Sequence, residues 1–176
     1  MNKFDEKCLQ LSIEEAEKAT NLGDLPVGAV LTIGEHIVAS GSNTGKTSTS
    51  YVNHAETRLL HDNITKILDS HDTRGNVAIY STLEPCLMCL GTAVLCKVNR
   101  ITYIQSDPYG GACEIDRGTL GDRYQHTWPE IRHINFSRRP EELLRIFMEE
   151  QIKKGERVTW SKNFLSLLDK TKEGQK

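Results

Sequence analysis

Two short strings, His54-Ala55-Glu56 and Pro85-Cys86-Leu87-Met88-Cys89, constrain this chain more than any other part of it. Cys86 and Cys89 stand three residues apart after a proline, so at the start of a helix both sulfurs fall on one face. The partial positive charge of a helix N-terminus lowers the pKa of thiols placed there. His54 offers a nitrogen from the start of a second helix, and the three donors leave the fourth corner of a tetrahedral metal site open to water. Any fold that uses both strings must set two helix starts side by side.

Zinc suits this donor set, and it brings the pKa of a bound water from about 15.7 to about 7. Glu56, two residues past the histidine, can then sit beside that water without coordinating the metal. Its expected task is to take the water proton, pass it to the ring nitrogen next to the attacked carbon, and later protonate departing ammonia. A closed structural zinc site would want a fourth protein ligand and would leave Glu56 without purpose. Two buried thiols beside an unrelated loop histidine would not explain why both strings sit at helix starts that follow strands.

The remaining pattern supplies a scaffold. Leu9, Ile13, Ala16 and Ala19 recur at helical spacing, so an amphipathic helix is expected from Phe4 to Ala19, with Gly23 ending it. Pro26 to Ile33 and His36 to Ser40 read as a hairpin around Gly34-Glu35. Gly41 to Asn53 reads as a polar loop, His54 to about Leu68 as a helix, and Asp69 to Gly75 as a polar link. Val77 to Ser81, Arg100 to Gln105 and Ile131 to Phe136 are expected strands. Cys86 to Lys97 is a helix apolar on nearly every side, and Ser106 to Glu130 a crossover to a parallel strand. Helices from Pro140 to about Lys154 and from Trp160 to Leu168 precede a charged, fraying tail at 171–176. This order implies an α/β fold, one mixed sheet covered by helices on both faces, in a single domain over residues 1–170.

No segment approaches the ~20 apolar residues of a membrane span, and Met1 to Lys7 has no apolar core of an export signal, so the expected location is cytoplasmic. In that setting five cysteines read as thiols or metal ligands before disulfides. Cys8, Cys96 and Cys113 lack ligand spacing; Cys113, near the expected pocket loop, is the one to watch for oxidation. Trp128 and Trp160 read as packing groups. A net charge of -2 argues against a surface built mainly for phosphate backbones.

From Pro26 to Phe136 the chain resembles the cytidine and deoxycytidylate deaminase superfamily, above all its branch containing tRNA adenosine deaminases and guanine deaminases. The resemblance rests on Pro26-Val27-Gly28-Ala29-Val30, on Asn43, on His54-Ala55-Glu56, and on Thr82-Leu83-Glu84-Pro85-Cys86-Leu87-Met88-Cys89. It implies a three-layer α/β/α sandwich on a five-stranded mixed sheet with strands four and five parallel, and a homodimer or larger assembly. It also implies that Asn43, the Ala55 amide and the carbonyls just before Pro85, Glu84 included, touch the base. Asn43 reads equally as a turn residue between Ser42 and Thr44. Asp107 and Tyr109 either line the pocket, the ring stacking on the base and the carboxylate reading an amino or imino group, or simply initiate a turn.

The tRNA branch carries a Lys and Gly containing segment after the matching Asp and an arginine-rich last helix. Here Asp107 is followed by Pro108-Tyr109-Gly110-Gly111, and a late helix reads Phe147-Met148-Glu149-Glu150-Gln151. Those acids either repel RNA or form the solvated face of a helix balanced by Lys153 and Lys154. The expected function is therefore zinc-dependent hydrolytic deamination of a small nucleobase or nucleoside, guanine first among purines and cytosine or cytidine among pyrimidines. RNA is disfavoured as a partner. The alternatives are adenosine-to-inosine deamination in a tRNA anticodon loop, and a non-catalytic zinc-binding module on the same fold.

Overall fold

The computed structural model describes residues 1–72 and 76–173. Helix α1 runs Lys3–Leu22, begun by Asn2, whose side chain accepts the amide N–H of Asp5 at 2.8 Å. An N-cap of this kind satisfies one of the four amides a helix start leaves unpaired. Strands β1 (Gly28–Ile33) and β2 (His36–Ser42) form the hairpin, and β3 (Val77–Leu83), β4 (Arg100–Gln105) and β5 (Glu130–His133) complete the sheet. The order across it is β2-β1-β3-β4-β5. β1 pairs antiparallel with β2 and β3, whereas β3, β4 and β5 run parallel. The mixed five-stranded sheet and the parallel last pair agree with expectation.

Alternate residues of the strands serve two cores, as a period of two requires. Val30, Ala78, Tyr80 and Ile104 pack with Cys8, Leu9 and Ile13 of α1. Ala29, Leu31, Val77, Ile79 and Ile101 face the larger cluster, with Leu59, Leu60, Leu90 and Ala93 of the opposite layer. Gly28 lets β1 pass close to α1, since a Cβ there would strike the Ser12 carbonyl and the Ala16 amide.

The helix expected over 54–68 is two helices, α2 (Ala55–Asp62) and α3 (Ile64–Asp72). Asn63 breaks it, with φ at -118° and its side-chain amide donating to the Leu59 carbonyl at 3.0 Å, a local bond that competes with the helix. The polar link was expected to begin at Asp69, but α3 continues to Asp72; its last residues, 73–75, lie outside the described part. Helix α4 is Leu87–Leu95. The crossover carries a 3-10 turn at Arg117–Thr119 and a short helix α5 (Asp122–His126), and β5 stops at His133, short of Phe136. Helix α6 is Arg139–Lys154 and α7 is Val158–Glu173, longer than the 160–168 expected. Of the expected fraying tail, 171–173 are helical and 174–176 lie outside the described residues. Among the described residues no helix is long and apolar enough to cross a membrane.

Candidate metal centre and active site

The sheet register sets the place of the site. Ser42 lies opposite Gly28, Ala29 opposite Ser81, and Ser81 opposite Tyr103, so β2, β3 and β4 end along one edge. In open α/β sheets ligands bind beyond the carboxyl ends of the strands. Helices α2 and α4 both start there, with His54 and Cys86 in extended conformation as their N-caps and neither side chain capping its helix. Both side chains are thus free for something other than their own backbone.

His54 Nδ1 lies 3.6 Å from Cys86 Sγ and 3.4 Å from Cys89 Sγ, and the two sulfurs are 3.6 Å apart. Zinc–sulfur bonds of about 2.3 Å and a zinc–nitrogen bond of about 2.0 Å at tetrahedral angles give edges of about 3.8 Å and about 3.5 Å. The triangle therefore fits zinc, and this is the cluster of His, Cys and carboxylate donors among the described residues that could hold a metal ion. The Cys86 thiol is lowered to about 4, chiefly by the S–H that Cys89 donates to it, with His54 adding. Cys89 keeps the proton of the pair because it donates to Cys86 and is buried.

Glu56, on the first turn of α2, is 4% exposed. Ser81 of β3 donates its hydroxyl to Oε1 at 2.9 Å, while Oε2 lies 3.5 Å from Cys89 Sγ. Burial pushes the carboxyl above its ordinary range, against the pull of its own amide and of Ser81. A carboxyl so raised holds a proton more readily than an ordinary carboxylate does. Ser81 was not singled out from sequence. Its signal was the polar pair Ser81-Thr82 at the end of an apolar strand; Thr82 accepts the Gly28 amide at 3.1 Å.

Two loops flank these groups. On one, Asn43 is buried and accepts the Gly45 amide at 2.8 Å through Oδ1, so it is a turn residue whose Nδ2 remains available as a donor. Buried Asp24 accepts the amides of Lys46 and Thr47 through Oδ1 at 2.6 and 3.1 Å, and its Oδ2 has no partner among the described residues. Arg58 of α2 reaches the Ser42 carbonyl and Thr44 hydroxyl, each at 3.2 Å. Neither Asp24 nor Arg58 carries a signal in the sequence, because each acts on backbone that only folding brings near.

On the other loop, Asp107 Oδ1 accepts the amides of Tyr109 and Gly110 at 2.9 and 3.0 Å, and Gly111 pairs with Cys86 as an antiparallel bridge. Burial raises the Asp107 carboxyl, and the charge of Cys86 adds to that. The Glu84 side chain turns into this loop, accepting the amides of Asp107 at 3.1 Å and Cys113 at 2.9 Å. What Glu84 has left for a substrate is its carbonyl. Ala55, buried at the first position of α2, has an amide without an intrahelical partner. Cys113 is 7% exposed and its thiol is pushed up to about 12 by burial and by Glu84, Glu114 and Glu56. The expectation of an exposed, oxidisable Cys113 is thereby corrected. Trp128 and Trp160 do pack against the larger core, and Trp160 also meets Tyr109 edge to face at 6.4 Å.

A family model described as the cytidine and deoxycytidylate deaminase zinc-binding region matches residues 2–105. A tRNA-specific adenosine deaminase of Bacillus subtilis (strain 168) is 39% identical over 107 residues, covering 61% of this chain and 65% of that relative, so the match spans just under two thirds of its length. A solved structure from work on A-to-I editing by tRNA:A34 deaminases at the wobble position of transfer RNA superimposes with a TM-score of 0.57 at 26% identity, covering 73% of this chain and 97% of the other. Guanine deaminase from Nitrosomonas europaea shares the fold, with a TM-score of 0.62 at 19% identity and coverage of 81% and 83%.

Proposed function

The chain belongs to the cytidine and deoxycytidylate deaminase family, and from that premise we propose that it hydrolyses the exocyclic amine of an adenosine presented by tRNA, releasing ammonia and leaving inosine. The observation that carries this reading is the kinship with tRNA-specific adenosine deaminases, whose likeness extends over most of this chain. It reverses the order expected from charge, which placed free bases first.

His54, Cys86 and Cys89 would hold zinc, which when bound makes water nucleophilic near neutral pH. Glu56 would take one proton from the attacking water and deliver it to the ring nitrogen beside the attacked carbon. It then carries the second to the amino group, so that the C–N bond breaks and neutral ammonia departs. Ser81 holds one carboxylate oxygen so that the other faces the donors. Asn43 donates from Nδ2 to the base, the Ala55 amide and Glu84 carbonyl take its polar edge, and Asp107 closes the far wall. A homodimer is part of the proposal, with the exposed Leu87 and Leu95 of α4 as its candidate face.

Zinc-loaded protein would be incubated in parallel with guanine, cytosine, cytidine, adenosine and unmodified tRNA, following ammonia and the nucleosides of digested RNA. Inosine from the RNA is the expected result. Turnover of a free base or nucleoside with none on RNA overturns it in favour of the small-molecule reading, which the net charge of -2 favours. Zinc binding with no turnover on the whole panel would point to a non-catalytic module.

A further inference from the structure

Tyr109 stands at the apex of the turn between Asp107 and Gly111 and is 52% exposed, yet it is not loose. Its amide is fixed by Asp107, Glu84 holds the amides on both sides of the turn, and the Trp160 ring of α7 meets it at 81°. Trp160 is itself backed by Phe164 at 6.2 Å, and the Arg157 guanidinium lies 6.0 Å from its centroid. Arg157 occupies the position before α7, where its carbonyl accepts the first helical amide, that of Ser161. Its φ of 46° lies in the left-handed region that disfavours side chains, and arginine has no capping oxygen to offer there. A residue that neither relaxes the turn nor caps the helix is the sort of local exception that marks a functional position. On the other rim Tyr51, three residues before His54, is 92% exposed among Ser and Thr, with Lys46 earlier in the same loop.

Resting on the tRNA reading, we propose that Tyr109, braced by Trp160 with Arg157 over the Trp160 ring, is a stacking platform for the nucleotide next to the reacting adenosine. A free base would be handled by Asn43, Ala55 and Glu56. A rigid aromatic face outside that set, with a cation beside it, serves a ligand with a second ring and a phosphate, which is what single-stranded nucleic acid offers. The proposal also meets the charge objection. Glu150 of α6 is bonded to Lys154 at 3.2 Å, so one of the two acids is already paired. On such a platform stacking, more than counterion release, carries the affinity. For two phosphate contacts the salt slope of log K on a single strand is about -1.4, far shallower than that of a basic RNA binder.

The test uses the zinc-loaded full chain and an anticodon stem-loop RNA with the target adenosine, with binding followed by fluorescence anisotropy across salt. The RNA is also made abasic at each nucleotide flanking the adenosine in turn. Tyr109→Ala is expected to weaken binding about tenfold, Tyr109→Trp to restore it, and Arg157→Gln to weaken it less while flattening the salt slope. In the double-mutant cycle one abasic RNA should cost the parent the same tenfold and cost Tyr109→Ala nothing more. Additive losses at both flanking positions, or a Tyr109→Ala chain that binds and deaminates RNA like the parent, overturn the platform while leaving the tRNA reading standing. RNA that the parent neither binds nor deaminates overturns both. Zinc content and circular dichroism of each variant separate these results from misfolding.

Discussion

The loop at 43–53 and the turn at 107–113 leave the same edge of the sheet and face the same three donors, but they hang from their buried carboxylates differently. Asp24 uses one oxygen, taking the amides of Lys46 and Thr47, and its second oxygen is buried without a partner among the described residues. Glu84 uses both, one for Asp107 and one for Cys113. The first loop has further support from Arg58 and stays mostly at the surface; the second drives Ala112 and Cys113 into the interior. A carboxylate with both oxygens engaged tolerates no change of chemistry. One with a single oxygen engaged has room for an amide.

Gly111→Ala should have the largest effect on this contrast. A Cβ there would fall inside contact distance of the Glu84 carboxyl carbon and the Asp107 carbonyl, so the turn must move off its anchor. Overpacking of this kind costs about 3 kcal/mol, or roughly 6–12 °C in Tm for a chain of this size, measurable by thermal melting. A Gly111→Ala protein that melts with the parent would show that the turn is not clamped.

Glu84→Gln comes next. Its amide nitrogen must face one of two N–H donors, so about 2 kcal/mol of stability should go, with a rise in KM for whichever substrate the parent deaminates as Asp107 drifts. Asp24→Asn keeps its one working oxygen and should cost about 1 kcal/mol or less with KM little changed. Equal losses for the two variants in denaturant titrations would dissolve the distinction drawn between the loops. The smallest effect concerns Cys113. With its thiol at about 12, only about one molecule in ten thousand carries the thiolate at pH 8, and iodoacetamide should leave it unlabelled until the protein is unfolded. Labelling of Cys113 in the folded, zinc-loaded protein, read by mass spectrometry, would mean that the turn opens freely.

The first loop was legible in the sequence because a run made mostly of Gly, Ser, Thr and Asn has little else to form. The zinc donors were legible because their spacing is local, set by helix geometry around Pro85 and His54. Five strands followed from apolar runs punctuated by turns, but their order across the sheet did not. The turn at 107–113 was not legible beyond its Asp-Pro start. What folds it is the carboxylate of Glu84, just past β3, a bridge to Cys86 and a ring from α7, none of them encoded nearby. For the same reason Cys113 read as exposed and Trp160 as packing alone. Asn63 hid the break between α2 and α3, since Ile64 and Leu68 kept the helical spacing of Leu60 across it.

Everything at this edge presupposes that Glu56 moves protons beside a metal held by His54, Cys86 and Cys89. The direct test is the turnover of Glu56→Gln against the parent, on whichever substrate the parent deaminates, at equal zinc content per chain. The expected result is full zinc with turnover down about a thousandfold. A variant with the same zinc and turnover within tenfold of the parent would contradict it.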